Sequence, residues 1–399
     1  MRRWFVLSRL PVAIGALMLI VPWAYLSWNT TAGEIYPRVR FRTKQTIAGA
    51  VSDAATELSL HAVLTGSYQA SISRAVGVLS PVFKPAIRWK NQIYYTLLGT
   101  AGTDRVVVGR NNQLMESGYL EEYCSRDLAV LRPKAEAWAA RLRTLQDAFE
   151  ARGTPFLYLI TPSKVAEQPE IIPAGYRCPG SAADRAAKLG VYTAKLTAHG
   201  VHFVDAASPL LSAREHYGID MFPRGGTHWN TLAAALGTQQ VIAAADAQHV
   251  TPPLTPFTFT WTMRQTATGA DRDLLDIMNL PHPDPRYPVP EVAFQSKAPA
   301  GGCKPTRITE IGGSFLMGVN VILEKLACPP DITYWFYWDH LRFRYAGGKF
   351  DKLPADDDVR RASLTDTDLV LLEENDAALP EAQPAEQLMD AMPKLQAHD

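Results

Sequence analysis

Two short stretches carry residue types suited to nucleophilic chemistry. One is FPRGGTHWN (222–230), in which His228 follows two glycines and precedes an alanine-rich helical run. The other is TEIGGSFL, which puts Ser314 behind Gly312 and Gly313 at a junction of strand, tight turn and helix. A serine hydroxyl is a weak nucleophile until a neighbouring base takes its proton, and imidazole is the side chain suited to that near neutral pH. The helix after Ser314 would turn its free amides and positive dipole end toward a developing oxyanion. Each motif also has a plain reading, Ser314 as a helix N-cap and His228 as a structural histidine. Ser314 can act as a nucleophile if the fold brings an imidazole such as His228 within hydrogen-bond reach.

The elements around them would do so. RVVVGRNNQLMES reads as a short strand, a polar turn and a second strand. PKAEAWAARLRTLQDAFEARG has Trp138, Leu142, Leu145 and Phe149 at helical spacing, with Pro133 suited to the first turn and Gly153 to the C-cap. FLYLI (156–160) is a continuous apolar run, as in a strand covered on both faces. A helix over about 181–199 ends at Gly200, VHFVDA supplies a strand, and the helix after THWN has Asn230 as its cap. ITYWFYW and DLVLLEE read as further strands. Helix alternating with buried strand predicts an α/β fold with a mostly parallel sheet. In such sheets loop ends converge on the C-terminal edge, so an imidazole nitrogen is expected within about 3–4 Å of the Ser314 hydroxyl.

Other function classes recede. Lys+Arg 40 balances Asp+Glu 40, which argues against a nucleic-acid binder. No P-loop, spaced CxxC pair or metal-ligand spacing is present, so neither cofactor nor metal is expected. The N-terminus is basic, and the stretch Leu10–Trp28 holds no charged residue over about a bilayer's thickness. With no small-residue cleavage site, it reads as an uncleaved signal anchor spanning 1–28. Four cysteines suit disulfides in an exported chain; of three possible pairings, proximity favours Cys124–Cys178 and Cys303–Cys328. The expected order is then a membrane-proximal helical region over 29–100 and a catalytic domain over 101–378. That domain would be interrupted by an irregular insertion at 252–305, and a solvated tail would follow at 379–399.

Several motifs in this order resemble the alginate O-acetyltransferase family (AlgX/AlgJ-like), a branch of the SGNH-hydrolase-like fold, over most of residues 60–375. LTGSYQASI, RVVVGRNNQLMES and YLEEYC are similar to its N-terminal block, and LYLITPSKVAEQPEIIP to its strand followed by a P-[ST]-K segment. GGTHWN stands where the family has D-T-H-W, RDLLDIMNLP where it has a gDLa segment, and GGSF where it has a GDSF-type nucleophile turn. LVLLEENDAAL is similar to its final strand.

The resemblance implies a three-layer α/β/α domain in which Ser314 carries an acetyl group and His228 is base and then acid. Gly313, Trp229 and Lys164 become candidates for substrate or oxyanion contacts. It further implies a membrane-bound O-acyltransferase partner that delivers acetyl from cytoplasmic acetyl-CoA, and an exported polysaccharide that receives it. The body would face the periplasm of a bacterial inner membrane, held by the anchor. One departure stands out: the family's aspartate, two residues before the histidine, is Gly226 here. A triad needs an acid to fix the imidazole tautomer. Asp220, in the same loop, is the preferred candidate, with Asp205 and Glu310 as alternatives. An acetylesterase of the same fold and a catalytically idle scaffold of a secretion complex are the rival readings.

Overall fold

The structure is a computed structural model that describes residues 15–17, 20, 24, 47–48, 57–71, 83–338, 341–354, 356–380 and 383–396. It divides into two compact units, Met1–Asp104 with Leu275–Asp284, and Arg105–Leu274 with Pro285–Asp399. The predicted anchor Leu10–Trp28 lies almost entirely outside the described residues; among those described, no helix is long and apolar enough to cross a membrane.

In the first unit the described elements are helical, α1 (Leu60–Leu64) and α2 (Phe83–Ile93). There Asn91, buried on α2, donates to the Met278 carbonyl at 2.8 Å, which ties the returning 275–284 segment to the helix.

The second unit opens with the hairpin β1 (Val106–Val108) and β2 (Leu114–Glu116), followed by α3 (Ser117–Ser125) and α4 (Leu128–Glu150). The α4 helix starts earlier than its Pro133 suggests, because Asp127 caps it by accepting the Ala129 N–H. Next come β3 (Phe156–Thr161), α5 (Lys164–Glu167), α6 (Ala182–Ala198), β4 (Phe203–Asp205), α7 (Leu210–Tyr217) and α8 (Thr231–Ala247). The chain continues through β5 (Phe257–Arg264), α9 (Asp273–Ile277), β6 (Val289–Ser296), β7 (Arg307–Gly312), α10 (Leu316–Leu323) and β8 (Asp331–Phe336). It closes with β9 (Leu341–Ala346), β10 (Lys349–Lys352), α11 (Asp357–Thr365), β11 (Leu369–Asn375) and α12 (Gln383–Gln396).

Seven strands form one sheet in the order β10-β9-β8-β7-β11-β3-β4. The central pairs β8–β7, β7–β11, β11–β3 and β3–β4 are parallel, whereas β9 and β10 add antiparallel at one edge, so the sheet is mixed. All residues of β3 and β11 are buried, as their unbroken apolar runs predict. Side chains alternate between faces. Leu157, Leu159, Leu369 and Leu371 join a core with α8 and α10, and Phe156, Tyr158, Val370 and Leu372 join another with α4, α6 and α12. Three layers result.

Two expectations are corrected. The 252–305 segment is not irregular: β5 and β6 pair antiparallel from Phe257↔Ser296 to Arg264↔Val289. Phe257, Phe259 and Trp261 on β5 pack toward the core, while the threonines between them face outward. Nor is 379–399 simply a tail, since α12 buries Ala385, Leu388 and Met392 against the sheet. Both predicted disulfides are present, Cys124–Cys178 and Cys303–Cys328.

Candidate active site

Ser314 leaves the C-terminal end of β7 just before α10, and His228 ends the loop that enters α8, whose first turn Asn230 caps by accepting the Ala233 N–H. Although 86 positions apart, the two meet, with His228 Nε2 2.6 Å from Ser314 Oγ. On the other side of the ring, Nδ1 is hydrogen-bonded to Asp273 Oδ2. The remaining Asp273 oxygen accepts the Thr227 N–H at 2.9 Å and the Leu274 N–H at 2.6 Å. An ionised carboxylate only accepts, so Nδ1 carries the proton and Nε2 is left to accept from the serine. The result is a continuous relay of hydroxyl, imidazole and carboxylate.

The carboxylate that reaches His228 is therefore Asp273, and not Asp220 as expected. Asp220 turns away to an ion pair with Arg214 at 2.8 Å. Asp205 accepts the Ala207 and Ser208 N–H groups at the end of β4, and Glu310 is fully buried in β7. Gly226 explains the exchange. A Cβ there would lie 2.5 Å from the Ala270 carbonyl oxygen and 3.2 Å from the Asp271 carbonyl carbon. Where the resemblance leads one to expect an aspartate, the missing side chain admits the 270–273 segment that delivers a carboxylate from elsewhere in the chain. The signal was present in RDLLDIMNLP, an acidic residue at a helix start, but nothing local ties it to a histidine 45 positions away.

The glycines of the serine turn serve close approach as well. A Cβ on Gly312 would meet Glu373 Oε2 at 2.6 Å, and one on Gly313 would meet the Tyr337 ring at 3.1 Å. Glu373, buried in β11, accepts the Gly313 N–H at 2.7 Å. That amide is thereby committed, which removes Gly313 N–H as an oxyanion candidate. Burial pushes the Glu373 carboxyl above the usual carboxylate range, against the hydrogen bonds from Thr161 and Gly313.

Lys164 is a buried support of the histidine loop, and Trp229 lines the cavity beside Ser314 and His228 while it braces the two helices. Lys164 is 1 % exposed, and its Nζ donates to the carbonyls of Leu114 (2.8 Å), Pro223 (2.7 Å), Arg224 (3.2 Å) and Gly226 (2.9 Å), which clamps the histidine loop to β2. Burial pulls its pKa down to about 7, against the attraction of Asp273 and Asp220. Trp229 is 4 % exposed; its indole N–H donates to the Phe315 carbonyl at 3.3 Å, and its ring lies where Cβ atoms on Gly237 and Gly318 would be. It couples the histidine helix to the nucleophile helix.

Ser314 and His228 open into a cavity of about 350 Å³. Ala234, Met317 and Val321 give it an apolar wall, and Arg264 and Asp271, paired at 3.2 Å, a polar one. Burial lifts the Asp271 carboxyl to about 6, with Arg264 opposing. A larger cavity of about 850 Å³, lined by Arg214, Asp220, Arg224 and Tyr287 among others, contains none of the three residues of the relay. Among the described residues no cluster of His, Cys, Asp and Glu could hold a metal ion. The arrangement can activate a hydroxyl, hold an acyl group on it and return a proton to a leaving or accepting oxygen.

No curated protein matches the chain. Solved structures of similar path include the O-acetyltransferase domain of Pseudomonas putida AlgJ, at 16% identity and TM-score 0.46 over 72% of this chain and 99% of that one. Pseudomonas aeruginosa AlgX aligns at 13% identity and TM-score 0.49 over 78% and 71%, and Bacillus cereus PatB1 at 11% and 0.43 over 70% and 99%. A family model, described as "SGNH hydrolase-like domain, acetyltransferase AlgX", matches residues 119–303, which take in His228 and Asp273 and stop short of Ser314. Over residues 119–303, a little under half of the chain, the sequence is thus similar to SGNH hydrolase-like acetyltransferase domains of the AlgX type.

Proposed function

We propose that the protein is an O-acetyltransferase that moves acetyl groups onto hydroxyls of an exported polysaccharide through an acetyl-Ser314 intermediate. The observation that carries this reading is the unbroken relay from Ser314 through His228 to Asp273. His228 takes the Oγ proton as Oγ attacks the acetyl carbonyl, and returns it to the departing group; Asp273 holds the tautomer and stabilises the imidazolium. In the second half-reaction the polysaccharide hydroxyl gives its proton to His228 as it attacks the acetyl carbon, and Ser314 Oγ leaves and recovers that proton from His228. The apolar wall of the cavity suits the acetyl methyl, and the Arg264–Asp271 wall suits a polyhydroxylated acceptor.

A membrane-bound O-acyltransferase partner as acetyl source, and the anchor Leu10–Trp28 that holds the body beside it in the periplasm, belong to this proposal. Two disulfides support an oxidising compartment. The test is incubation with 4-nitrophenyl acetate, followed by peptide mass spectrometry and addition of an oligosaccharide acceptor. An acetyl group on Ser314 that passes to sugar faster than to water is expected. Acetyl lost only to water would make the protein an esterase, and no acyl-Ser314 would overturn the enzymatic reading.

A further inference from the structure

Building on the acyl-transfer reading, we infer that the Tyr337 hydroxyl is a donor to the oxyanion of the reaction. Attack of Ser314 Oγ on an acetyl ester forms the Oγ–C bond and moves the carbonyl π pair onto oxygen, while His228 Nε2 takes the Oγ proton. Collapse restores the C=O bond and breaks the bond to the leaving alcohol, which takes the proton from His228. The negative oxygen of the intermediate sits one bond beyond the carbon on Oγ and needs preorganised donors. The Gly313 amide is not among them, since it donates to Glu373.

Three observations point to Tyr337. Its hydroxyl stands 3.5 Å from Ser314 Oγ, which places it in range of an oxygen on the attached carbon, where donors work at about 2.7–3.1 Å. Its backbone is held at φ +42° and that of the next residue, Trp338, at φ +63°. Two consecutive bulky aromatics in the left-handed region are unfavourable, and such strain persists mainly where function selects it. Finally, Gly313 leaves room for the Tyr337 ring against the serine turn, and the Tyr337 N–H donates to the Gly312 carbonyl at 2.9 Å. The side chain is 37% exposed, so core packing does not account for the strained placement.

The experiment compares the full chain with its Tyr337→Phe, Tyr337→Gly and Ser314→Ala variants on 4-nitrophenyl acetate. It also measures affinity for methylboronic acid, whose Ser314 adduct carries an oxygen in the oxyanion position. Tyr337→Phe should lower the acylation kcat by about 100-fold and weaken methylboronic acid comparably, with KM and the pH profile little changed. Tyr337→Gly should lose the same rate while keeping or raising Tm, because glycine relieves the positive φ. That combination is the opposite of what a merely structural tyrosine would give. Tyr337→Phe acylating within about threefold of wild type would overturn the assignment, provided wild type forms acyl-Ser314. If wild type forms none and matches Ser314→Ala, the acyl-transfer reading itself fails, and the Tyr337 role with it.

Discussion

At the scale of single residues, the site turns on an exchange between Gly226 and Asp273. A carboxylate two residues before the histidine and one arriving from α9 can each satisfy Nδ1, but they need different space. The 2.5 Å approach that a Cβ on Gly226 would make to the Ala270 carbonyl shows that this chain has adopted the second solution. Asp273→Asn should leave the fold intact and cut the rate of Ser314 acetylation by roughly 10³–10⁴, since an amide can favour the wrong imidazole tautomer. Asp220→Asn, which breaks the pair with Arg214 but leaves the hydrogen bonds of the relay in place, should leave the rate near wild type. Gly226→Asp should lower activity and Tm together instead of adding an acid, because backbone stands where its Cβ must go. Acetylation kinetics and melting curves of the three variants decide the matter; an active Asp273→Asn protein would remove Asp273 from the relay. Ser314 and His228 were legible because their motifs, each at a local junction with a helix, stand in the order and context of the AlgX/AlgJ-like pattern. The acid was not, because its partnership is a tertiary contact that no spacing encodes.

At the scale of elements, legibility follows burial. The strands β3 and β11 show as unbroken apolar runs because both faces are covered, and Asn230 and Ser181 mark their helix starts through side-chain caps. The β5–β6 hairpin was missed because prolines and polar residues in the connection obscure its alternation. In α12 the apolar stripe of Ala385, Leu388 and Met392 is narrow and set among Glu, Gln, Asp and Pro, which suits a helix with one face on a large core. A solvated tail would tolerate change there; a core helix would not. Leu388 is fully buried, so Leu388→Ala should cost about 2–5 kcal/mol in urea unfolding while the acetylation rate of the folded protein stays unchanged. A loss near zero would return α12 to the role of a tail.

At the scale of the whole molecule, the sheet carries a burden that composition hides. Formal charges cancel over the chain, yet Glu310, Glu373 and Glu374 lie in adjacent strands and are essentially inaccessible to water. Glu373 is explained by its bond to the serine turn and Glu374 by its contacts with Tyr158 and Trp138. Glu310 has no comparable task, and neither of its carboxyl oxygens has a hydrogen-bond partner; burial, reinforced by Glu324 and Glu373 and opposed by the neighbouring Asn320 amide, pushes its carboxyl from 4.5 to about 8. The folded protein therefore holds a proton on Glu310 that the unfolded chain releases above about pH 4.5. The folded state binds more protons between those values, so the contribution of this group to stability is complete below the unfolded pKa and falls as pH rises through about 8. Glu373 and Glu374, both raised by burial, act with the same sign. Thermal unfolding from pH 5 to 8.5 should show Tm declining, and Glu310→Gln, isosteric and uncharged, should flatten the decline and be the more stable form at the alkaline end. A wild-type Tm that rises over this range, or a Glu310→Gln variant with the same slope, would mean that the carboxyl is ionised in the folded protein.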